Sequence, residues 1–342
     1  MEVDIPPVDE AARAKAQERQ RQLTKPPGSL GRLESLAADI AGLTGDPTPR
    51  LEDAAIATVA GDHGVAAEGV SAFPQAVTAQ MVANFAADGA AVNALAGTVE
   101  ARNLIVDLGV VGEYPDGEGV IEKPVAPGTD NIAAGPAMSR AQAREAIEAG
   151  RAVVAEHAPE ADVIGLGDMG IANTTASAAV TAAITGAEPE AVTGHGTGID
   201  EETYEHKVQV VEQALDADSP APADGLDVLR SVGGFEIGAL AGIALEAASR
   251  RTPVVLDGFI TGAGALVAAA IDERVTDYLL PSHDSVEGGH AVQYDHLGLE
   301  PLFDFDMRLG EGTGAALAIG VYQGACRAHD EMATFDEAGI DT

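Results

Sequence analysis

Short apolar segments alternate with longer helical patterns along most of the chain. Apolar runs of this length, followed by glycine, are typical of strands that are buried on both faces of a sheet. The five clearest runs are AAIATVAG (54–61), NLIVDLGV (103–110), ADVIGLGD (161–168), TPVVLDG (252–258) and DYLLPSH (277–283). Strands that alternate with helices predict an α/β fold in which a parallel sheet is flanked by helices.

Two of the segments between the strands have clear helical patterns. Residues 139–158 begin with Ser139 and Gln142 at the spacing of a capping box, in which each side chain satisfies a free backbone N–H group of the other residue. Residues 233–251 are rich in Ala and Gly, so we expect this helix to pack closely against its neighbours.

Both ends of the chain are also helical in pattern. Residues 8–23, 32–45 and 312–335 show the spacing of helices, and no predicted strand lies among them. We therefore expect a large α/β domain of residues 46–305, and beside it a small helical domain that residues 1–45 form together with residues 306–342.

Glycine and polar residues follow every predicted strand. The segments after the five strands contain GDHGVAAEGVS, DLGV, GDMGIANTTAS, DGFITGAG and SHDSVEGGH. Because the carboxyl ends of parallel strands meet at one edge of the sheet, and ligands bind there in open α/β sheets, these segments predict one shared binding site.

The chain is strongly acidic. It has 55 acidic residues against 19 basic ones and a net charge of −36, and its only lysines are Lys15, Lys25, Lys123 and Lys207. Such a surface disfavours nucleic acids and anionic membranes, because both require positive charge in a partner. The acids are scattered through periodic apolar segments, which indicates a folded protein rather than disorder. Acid excess with few lysines predicts a halophilic protein.

Three features of the sequence favour a cytoplasmic protein. No segment reaches the length needed to span a membrane without a charged or turn-forming residue. The first residues, MEVDIPPVDE, are acidic and lack the basic and apolar regions of a signal peptide. Cys326 is the single cysteine, which excludes an internal disulfide framework.

Two glycine-rich loops favour the binding of a phosphate group. GDMGIANTTAS (167–177) follows a predicted strand and opens a helix, where backbone N–H groups and hydroxyls face an anion. GHGTGID (194–200) is a second such loop, and Lys207 follows it closely. Neither loop is a Walker A motif, and no G-x-G-x-x-G follows the first strand, which weakens a dinucleotide interpretation.

A metal site is the alternative interpretation of the histidine-containing loops. The side chains with suitable ligand atoms are Asp62, His63, His283, Asp284, Glu287 and His290. The chain has no H-E-x-x-H motif or cysteine cluster to support a metal, and no G-x-S-x-G motif to indicate a serine nucleophile. We therefore favour a site without a metal.

A single glutamate lies between two glycines in RLGEGTGAAL (308–317). Glycines on both sides of Glu311 let the backbone turn sharply and approach another group closely. One interpretation is a helix N-terminus, where the helix dipole favours an acidic residue and Thr313 serves as the N-cap. The other interpretation is a carboxylate that takes part in the function.

Eight motifs give the chain a resemblance to a known family. They are TKPPGSLGRLE (24–34), GDHGV…GVSAFPQAVTAQMV (61–82), GTDNIAAGPAMSRAQA (128–143), GDMGIANTT (167–175), GTGID…HK (196–207), DGFITGAGAL (257–266), SHDSVEGGH (282–290) and RLGEGTGA (308–315). In this order and over nearly the whole chain, the sequence resembles the nicotinate-nucleotide–dimethylbenzimidazole phosphoribosyltransferases, which activate the lower base of cobalamin. The resemblance implies a homodimer, a large Rossmann-like domain and a small helical domain built from both termini.

The resemblance also implies a reaction. The phosphoribosyl group of nicotinate mononucleotide moves to 5,6-dimethylbenzimidazole or a related azole, giving α-ribazole 5′-phosphate and nicotinate. The glutamate of the last motif is the general base in the family, and here it is Glu311. No metal or other cofactor is required.

Further site residues are implied by their positions in the motifs. Ser71 and Gln80 match polar residues near the benzimidazole, and Lys207 matches the lysine on the phosphate side. The nucleotide loop supplies Asp168, Gly170, Asn173 and Thr174, and the segment near ribose or phosphate supplies Ser285 and Gly288. Two residues depart from the family pattern: Asp168 stands where a glutamate is usual, and His195 stands in a glycine loop where another residue is expected.

Two other functions fit the same sequence features. One is a paralogue that binds or hydrolyses another nucleotide, and the other is a nucleotide sensor without catalysis. The complete motif around Glu311 argues against the sensor, because a sensor has no need of a general base.

Overall fold

The computed structural model describes residues 3–114, 119–196 and 198–341. Its centre is a six-stranded sheet with the order β3-β2-β1-β4-β5-β6, and all pairings between the described strands are parallel. The strands are β1 (Ala54–Ala60), β2 (Arg102–Asp107), β3 (Val120–Glu122), β4 (Val163–Met169), β5 (Val254–Val255) and β6 (Leu279–Leu280). The predicted α/β fold with a parallel sheet is confirmed.

Helices flank the sheet along the whole chain. They are α1 (Glu10–Gln22), α2 (Arg32–Thr44), α3 (Ala76–Ala86), α4 (Ala91–Ala96), α5 (Arg140–His157), α6 (Asn173–Thr185), α7 (Pro189–Val192), α8 (Glu201–Asp218), α9 (Gly225–Val232), α10 (Phe235–Ser249), α11 (Phe259–Ile271), α12 (Gly289–Leu297), α13 (Thr313–Glu331) and α14 (Phe335–Ala338). In the described ranges, no helix has both the length and the apolar character that crossing a membrane requires.

The central strands β1 and β4 are buried along nearly their whole length. Helices α10 and α13 both pack against these two strands, so the apolar runs show no alternation of buried and exposed positions. Each of the five predicted strands is present, although β5 and β6 have only two residues each. The edge strand β3 was not predicted, because its three residues are partly exposed and form no long apolar run.

Helices α5 and α10 pack against each other through small residues, as the sequence predicted. A Cβ atom at Gly242 would overlap the backbone carbonyl of Ile147, and one at Gly150 would overlap that of Ala239. The capping box of α5 is also present, with Ser139 and Gln142 bonded reciprocally. The backbones of α5 and α10 therefore approach closely, and the small side chains between the two helices are enough to fill the interface.

Helices from the two ends of the chain lie together. Helix α1 packs on α2, and α2 packs on α13. The Arg19 guanidinium donates hydrogen bonds to the backbone carbonyls of His329 (2.9 Å) and Asp330 (2.7 Å). The helix predicted over residues 312–335 runs from Thr313 to Glu331, and the short helix α14 follows it.

Candidate active site

A cavity of about 380 Å³ lies at the carboxyl ends of the strands, where the sequence predicted a shared site. Loops after β4, β5 and β6 line it, together with the segment that precedes α13, whereas the predicted segment DLGV after β2 lines neither this cavity nor the adjoining one. Of the site residues predicted from the sequence, those lining this cavity are Asp168, Gly170, Asn173, Thr174, Ser285 and Glu311. Phe73, Val77 and Met81, from the segment after β1 and from α3, give one wall of the cavity an apolar surface.

A smaller cavity of about 30 Å³ adjoins the first. Ser71, His195 and Lys207 line it, and it shares residues of the nucleotide loop, among them Asn173 and Thr174, with the larger cavity. The two predicted residues Gln80 and Gly288 are exposed and line neither cavity in the described part of the chain. Of the second glycine loop (194–200), residue Thr197 lies outside the described residues.

Glu311, which lines the cavity, is held in an unusual backbone conformation. Its φ angle is +66°, a left-handed value that residues other than glycine rarely adopt. The Thr58 hydroxyl, in β1, donates a hydrogen bond of 2.8 Å to the Glu311 carbonyl oxygen. The side chain is buried, and its Oε2 has no hydrogen-bond partner among the described residues. Burial raises the pKa of the Glu311 carboxyl above its ordinary value.

The N-terminus of α13 is capped by Asp257, and not by Thr313, the cap in one of the two interpretations of the sequence. Asp257 follows β5, and its carboxylate accepts hydrogen bonds from the backbone N–H groups of Gly312 (3.0 Å), Gly314 (2.6 Å) and Ala315 (3.2 Å). The N-cap position itself is Gly312, while the Thr313 hydroxyl donates to the Gly310 carbonyl. A carboxylate brought in from another strand end thus replaces the local side-chain cap.

Asp257 and Asp168 add two buried carboxyls to the site of Glu311. Burial raises the pKa of Asp257 to about 7. The hydrogen bonds from the three backbone N–H groups act in the opposite direction but do not outweigh the effect of burial. Burial also raises the pKa of Asp168 well above its ordinary value, and the charge of Asp257 acts in the same direction. The Asn173 amide donates to Asp168 Oδ2 (2.9 Å), whereas Asp168 Oδ1 lacks a partner in the described structure.

Lys207 reaches the nucleotide loop from α8. Its ammonium donates hydrogen bonds to the Thr174 hydroxyl (2.9 Å) and to the Gly194 carbonyl (3.0 Å). Burial lowers the pKa of Lys207 to about 8, and the charge of Glu287 partly offsets this effect. Glu287 is itself buried against Gly194, where a Cβ atom would overlap its carboxylate. The Lys207 ammonium therefore lies beside the N-terminus of α6, and both the ammonium and the free N–H groups of a helix N-terminus favour the binding of an anion.

Buried hydrogen bonds connect the strand-end loops behind the cavity. Asp62 accepts from the Thr78 hydroxyl (2.7 Å) and from the Val111 N–H group (2.7 Å). The Thr78 hydroxyl accepts in turn from the N–H group of Ile171, in the nucleotide loop (3.1 Å). One hydroxyl therefore links helix α3 to that loop, and sequence patterns gave no indication of it.

The histidines considered as metal ligands have other partners. His63 Nε2 lies 2.8 Å from a carboxylate oxygen of the buried Glu236. His283 Nδ1 lies 3.1 Å from the Ser282 hydroxyl, and His290 Nδ1 accepts from the Ser285 N–H group. Burial lowers the pKa of His290 to about 3, with a further contribution from His283. Among residues 3–114, 119–196 and 198–341, no three His, Cys, Asp or Glu side chains form a group suited to a metal ion.

A parallel sheet whose strand-end loops enclose buried carboxyls, with a buried lysine in an adjoining cavity, is an arrangement typical of α/β enzymes that bind small molecules beyond the ends of the strands. A family model described as a phosphoribosyltransferase matches residues 5–340, and the chain belongs to that family.

Relatives in this family are similar over their full length. Nicotinate-nucleotide–dimethylbenzimidazole phosphoribosyltransferase of Roseiflexus sp. (strain RS-1) is 54% identical over 338 residues, covering 98% of this chain and 96% of the relative. The enzyme of the same name from Chloroflexus aggregans is 52% identical over 337 residues, with the same coverage of both chains. The crystal structure of the enzyme from Thermus thermophilus superposes with a TM-score of 0.92 at 46% identity, covering 98% of this chain and 99% of that one.

Proposed function

We propose that the protein transfers the 5-phosphoribosyl group of nicotinate mononucleotide to 5,6-dimethylbenzimidazole or a related azole. The products are α-ribazole 5′-phosphate and nicotinate, in the assembly of the lower ligand of cobalamin. The observation that carries the proposal is the buried carboxylate of Glu311, whose Oε2 has no hydrogen-bond partner among the described residues. It lies in one cavity with the nucleotide loop and next to the pocket of Lys207. The names and full-length identity of the relatives support the same reaction.

Glu311 acts as the general base in this proposal. The glycosidic C–N bond of the nucleotide breaks, and the pyridinium nitrogen becomes neutral as nicotinate leaves. A ring nitrogen of the azole forms the new bond to the ribose, and the azole loses its N–H proton to the carboxylate. The raised pKa of Glu311 makes it a better base than an exposed glutamate, provided that it is ionised when the azole binds.

The other residues bind and orient the substrates. We assign the phosphate to Lys207 and Thr174, at the N-terminus of α6, and the ribose to Asp168 with the nearby Asn173. Gly170 and Ser285 complete the nucleotide side. Ser71 and the apolar wall receive the azole. Gln80 and Gly288 line neither cavity, so the assignment of substrate contacts rests on the other predicted residues.

We also propose that two copies associate and that residues 1–45 with 306–342 form a small helical domain beside the sheet, with α13 packed on β1 and β4. An apolar groove of about 380 Å³ crosses the surface of α2 and α13, lined by Leu33, Leu36 and Phe305 among others. Phe305 is 64% exposed, and exposed apolar surface of this kind favours association because a partner that covers it removes that surface from water. A second copy of the chain is the occupant that the family resemblance implies. Equilibrium sedimentation giving the mass of a monomer would contradict this.

The acidic composition supports a cytoplasm of high salt as the setting of the enzyme. With 55 acidic and 19 basic residues, most carboxylates have no cation available as a partner, and dissolved ions screen their repulsion.

One assay separates this function from its alternatives. The protein is incubated with nicotinate mononucleotide and 5,6-dimethylbenzimidazole, and the products are resolved by chromatography and mass. Formation of α-ribazole 5′-phosphate with an equal amount of nicotinate is the expected result. Release of nicotinate with ribose 5-phosphate and no riboside would favour a hydrolase, and binding without turnover would favour a sensor.

A further inference from the structure

The charged residues around the main cavity are mostly acidic. Asp168, Glu287 and Glu311 contribute carboxyls to its lining, and Arg308 is the one arginine or lysine among the described residues that line it. The substrate proposed for this cavity is itself an anion at two places, the phosphate and the carboxylate of the nicotinate ring. Lys207, in the adjoining cavity, accounts for the phosphate alone.

The backbone on both sides of Arg308 is fixed. The carbonyl of Met307 accepts hydrogen bonds from the Val286 N–H group (3.2 Å) and from the Ser285 hydroxyl (3.4 Å). The carbonyl of Gly310 accepts from the Thr313 N–H group (3.1 Å). The position of residue 308 relative to Ser285 and Glu311 is therefore set by the fold.

The Arg308 side chain is not engaged. It is exposed at the cavity, and within the described residues it has no ion pair or hydrogen bond. Arg308 is also the one cationic side chain among the described residues that line the main cavity, so it is the group there that an anionic substituent can pair with. A guanidinium binds a planar carboxylate through two parallel N–H···O hydrogen bonds, which an ammonium cannot match.

We propose that Arg308 binds the carboxylate of the nicotinate ring and thereby selects nicotinate nucleotides over nicotinamide nucleotides. The inference rests on the proposed phosphoribosyl transfer, since it assigns a second anion of that substrate. A nicotinamide ring offers Arg308 a neutral amide, which cannot form the two charge-assisted hydrogen bonds that a carboxylate accepts from a guanidinium.

The expected kinetic effect follows from the charge of the ring substituent. The carboxylate is ionised both before and after the glycosidic bond breaks, so Arg308 stabilises the bound substrate and the transition state equally. Loss of such an interaction raises KM and leaves kcat nearly unchanged. A residue that merely shaped the loop around Glu311 would lower kcat instead.

The test compares Arg308→Met, which keeps an unbranched apolar side chain but removes the guanidinium, with Arg308→Lys, which keeps the charge. For nicotinate mononucleotide we expect Arg308→Met to lower kcat/KM about tenfold through KM, equivalent to about 1.4 kcal/mol. For nicotinamide mononucleotide, kcat/KM should stay the same, and Arg308→Lys should recover part of the loss. Arg144→Met is the matched control, because Arg144 is also exposed and lies on α5, outside the cavity.

Calorimetric binding of free nicotinate and free nicotinamide gives a second measurement that does not require turnover. The wild-type protein should bind nicotinate more tightly, and Arg308→Met should abolish the difference. The proposal is overturned if the variant keeps the preference, if the wild-type protein has none, or if Arg144→Met loses as much. A protein that binds nicotinate through Arg308 but forms no riboside would contradict the proposed function and leave the carboxylate site standing.

Discussion

Gly167, in strand β4, lies directly against the peptide group of Glu311. A Cβ atom at residue 167 would overlap both the carbonyl oxygen and the carbonyl carbon of Glu311. The same carbonyl oxygen accepts the hydrogen bond of Thr58, in the neighbouring strand β1. Two central strands of the sheet therefore determine where the proposed base lies, and the glycine in GDMG serves Glu311 as well as the nucleotide loop.

Gly167→Ala should displace Glu311 and impair catalysis. We expect kcat to fall roughly 10²-fold, because a shift of about 1 Å at a catalytic group has an effect of this size. Overpacking should also lower the free energy of unfolding by about 1–3 kcal/mol. Steady-state kinetics and denaturant unfolding measure the two effects.

Gly165→Ala is the control on the same strand and the same face. A Cβ atom there meets the side chains of Ala315, Ile319 and Ile56 at 3.2 Å, not the backbone of Glu311. This variant should lose some stability and keep most of its activity. Equal activities of the two variants would show that the peptide of Glu311 is free to move.

The protonation of Lys207 should limit activity at alkaline pH. With its pKa lowered to about 8, the free enzyme loses the ammonium charge as the pH rises through 8. Nucleotide capture requires that charge, so kcat/KM for nicotinate mononucleotide should fall above pH 8.

The protonation of Glu311 should limit activity at acid pH. Because the pKa of Glu311 is raised and a protonated carboxyl accepts no proton from the azole, kcat/KM should also fall as the pH drops through that pKa.

Two variants identify the group responsible for the alkaline limb. Glu287→Gln removes the negative charge that raises the pKa of Lys207, so the limb should move to lower pH. Lys207→Met should lose nucleotide affinity at every pH and salt concentration, whereas Lys15→Met, an exposed lysine on α1, should not. An unchanged pH profile in Glu287→Gln, or normal nucleotide binding by Lys207→Met, would remove Lys207 from the phosphate site.

High salt should raise both stability and substrate capture. The net charge of −36 repels the anionic nucleotide and loosens the folded state at low ionic strength. At 1 M salt the Debye length is about 3 Å, so distant surface acids no longer act on the substrate, while Lys207 acts at contact. We expect kcat/KM and the midpoint of thermal unfolding to increase from dilute buffer to molar salt. Activity that declines steadily with added salt would contradict a halophilic adaptation.

The sheet and its binding edge were predictable because apolar runs and the glycine-rich segments after them are local patterns. Strand β3 escaped prediction, since three partly exposed residues at a sheet edge carry no such pattern. Lys207 was found through its rarity and its position behind a glycine loop, and the structure does bring it to Thr174. Gln80 and Gly288 were predicted from the family resemblance alone. In the structure both residues are exposed and lie outside both cavities.

Asp257 shows what local patterns leave out. Its three hydrogen bonds reach backbone groups that lie 55, 57 and 58 residues further along the chain, and only the fold brings them together. Thr313 looked like the N-cap because threonine favours that position. The one indication of Asp257 was its place directly after a predicted strand, at the edge where the site was expected.

The central claim is that Glu311 takes the proton of the azole during phosphoribosyl transfer. The most direct measurement is the single-turnover rate of α-ribazole 5′-phosphate formation by Glu311→Gln, with Glu331→Gln, at the exposed end of α13, as the control. We predict that the rate falls roughly 10²-fold or more in Glu311→Gln, with nucleotide affinity little changed, and stays near the wild-type value in the control. A near-normal rate in Glu311→Gln would contradict the account.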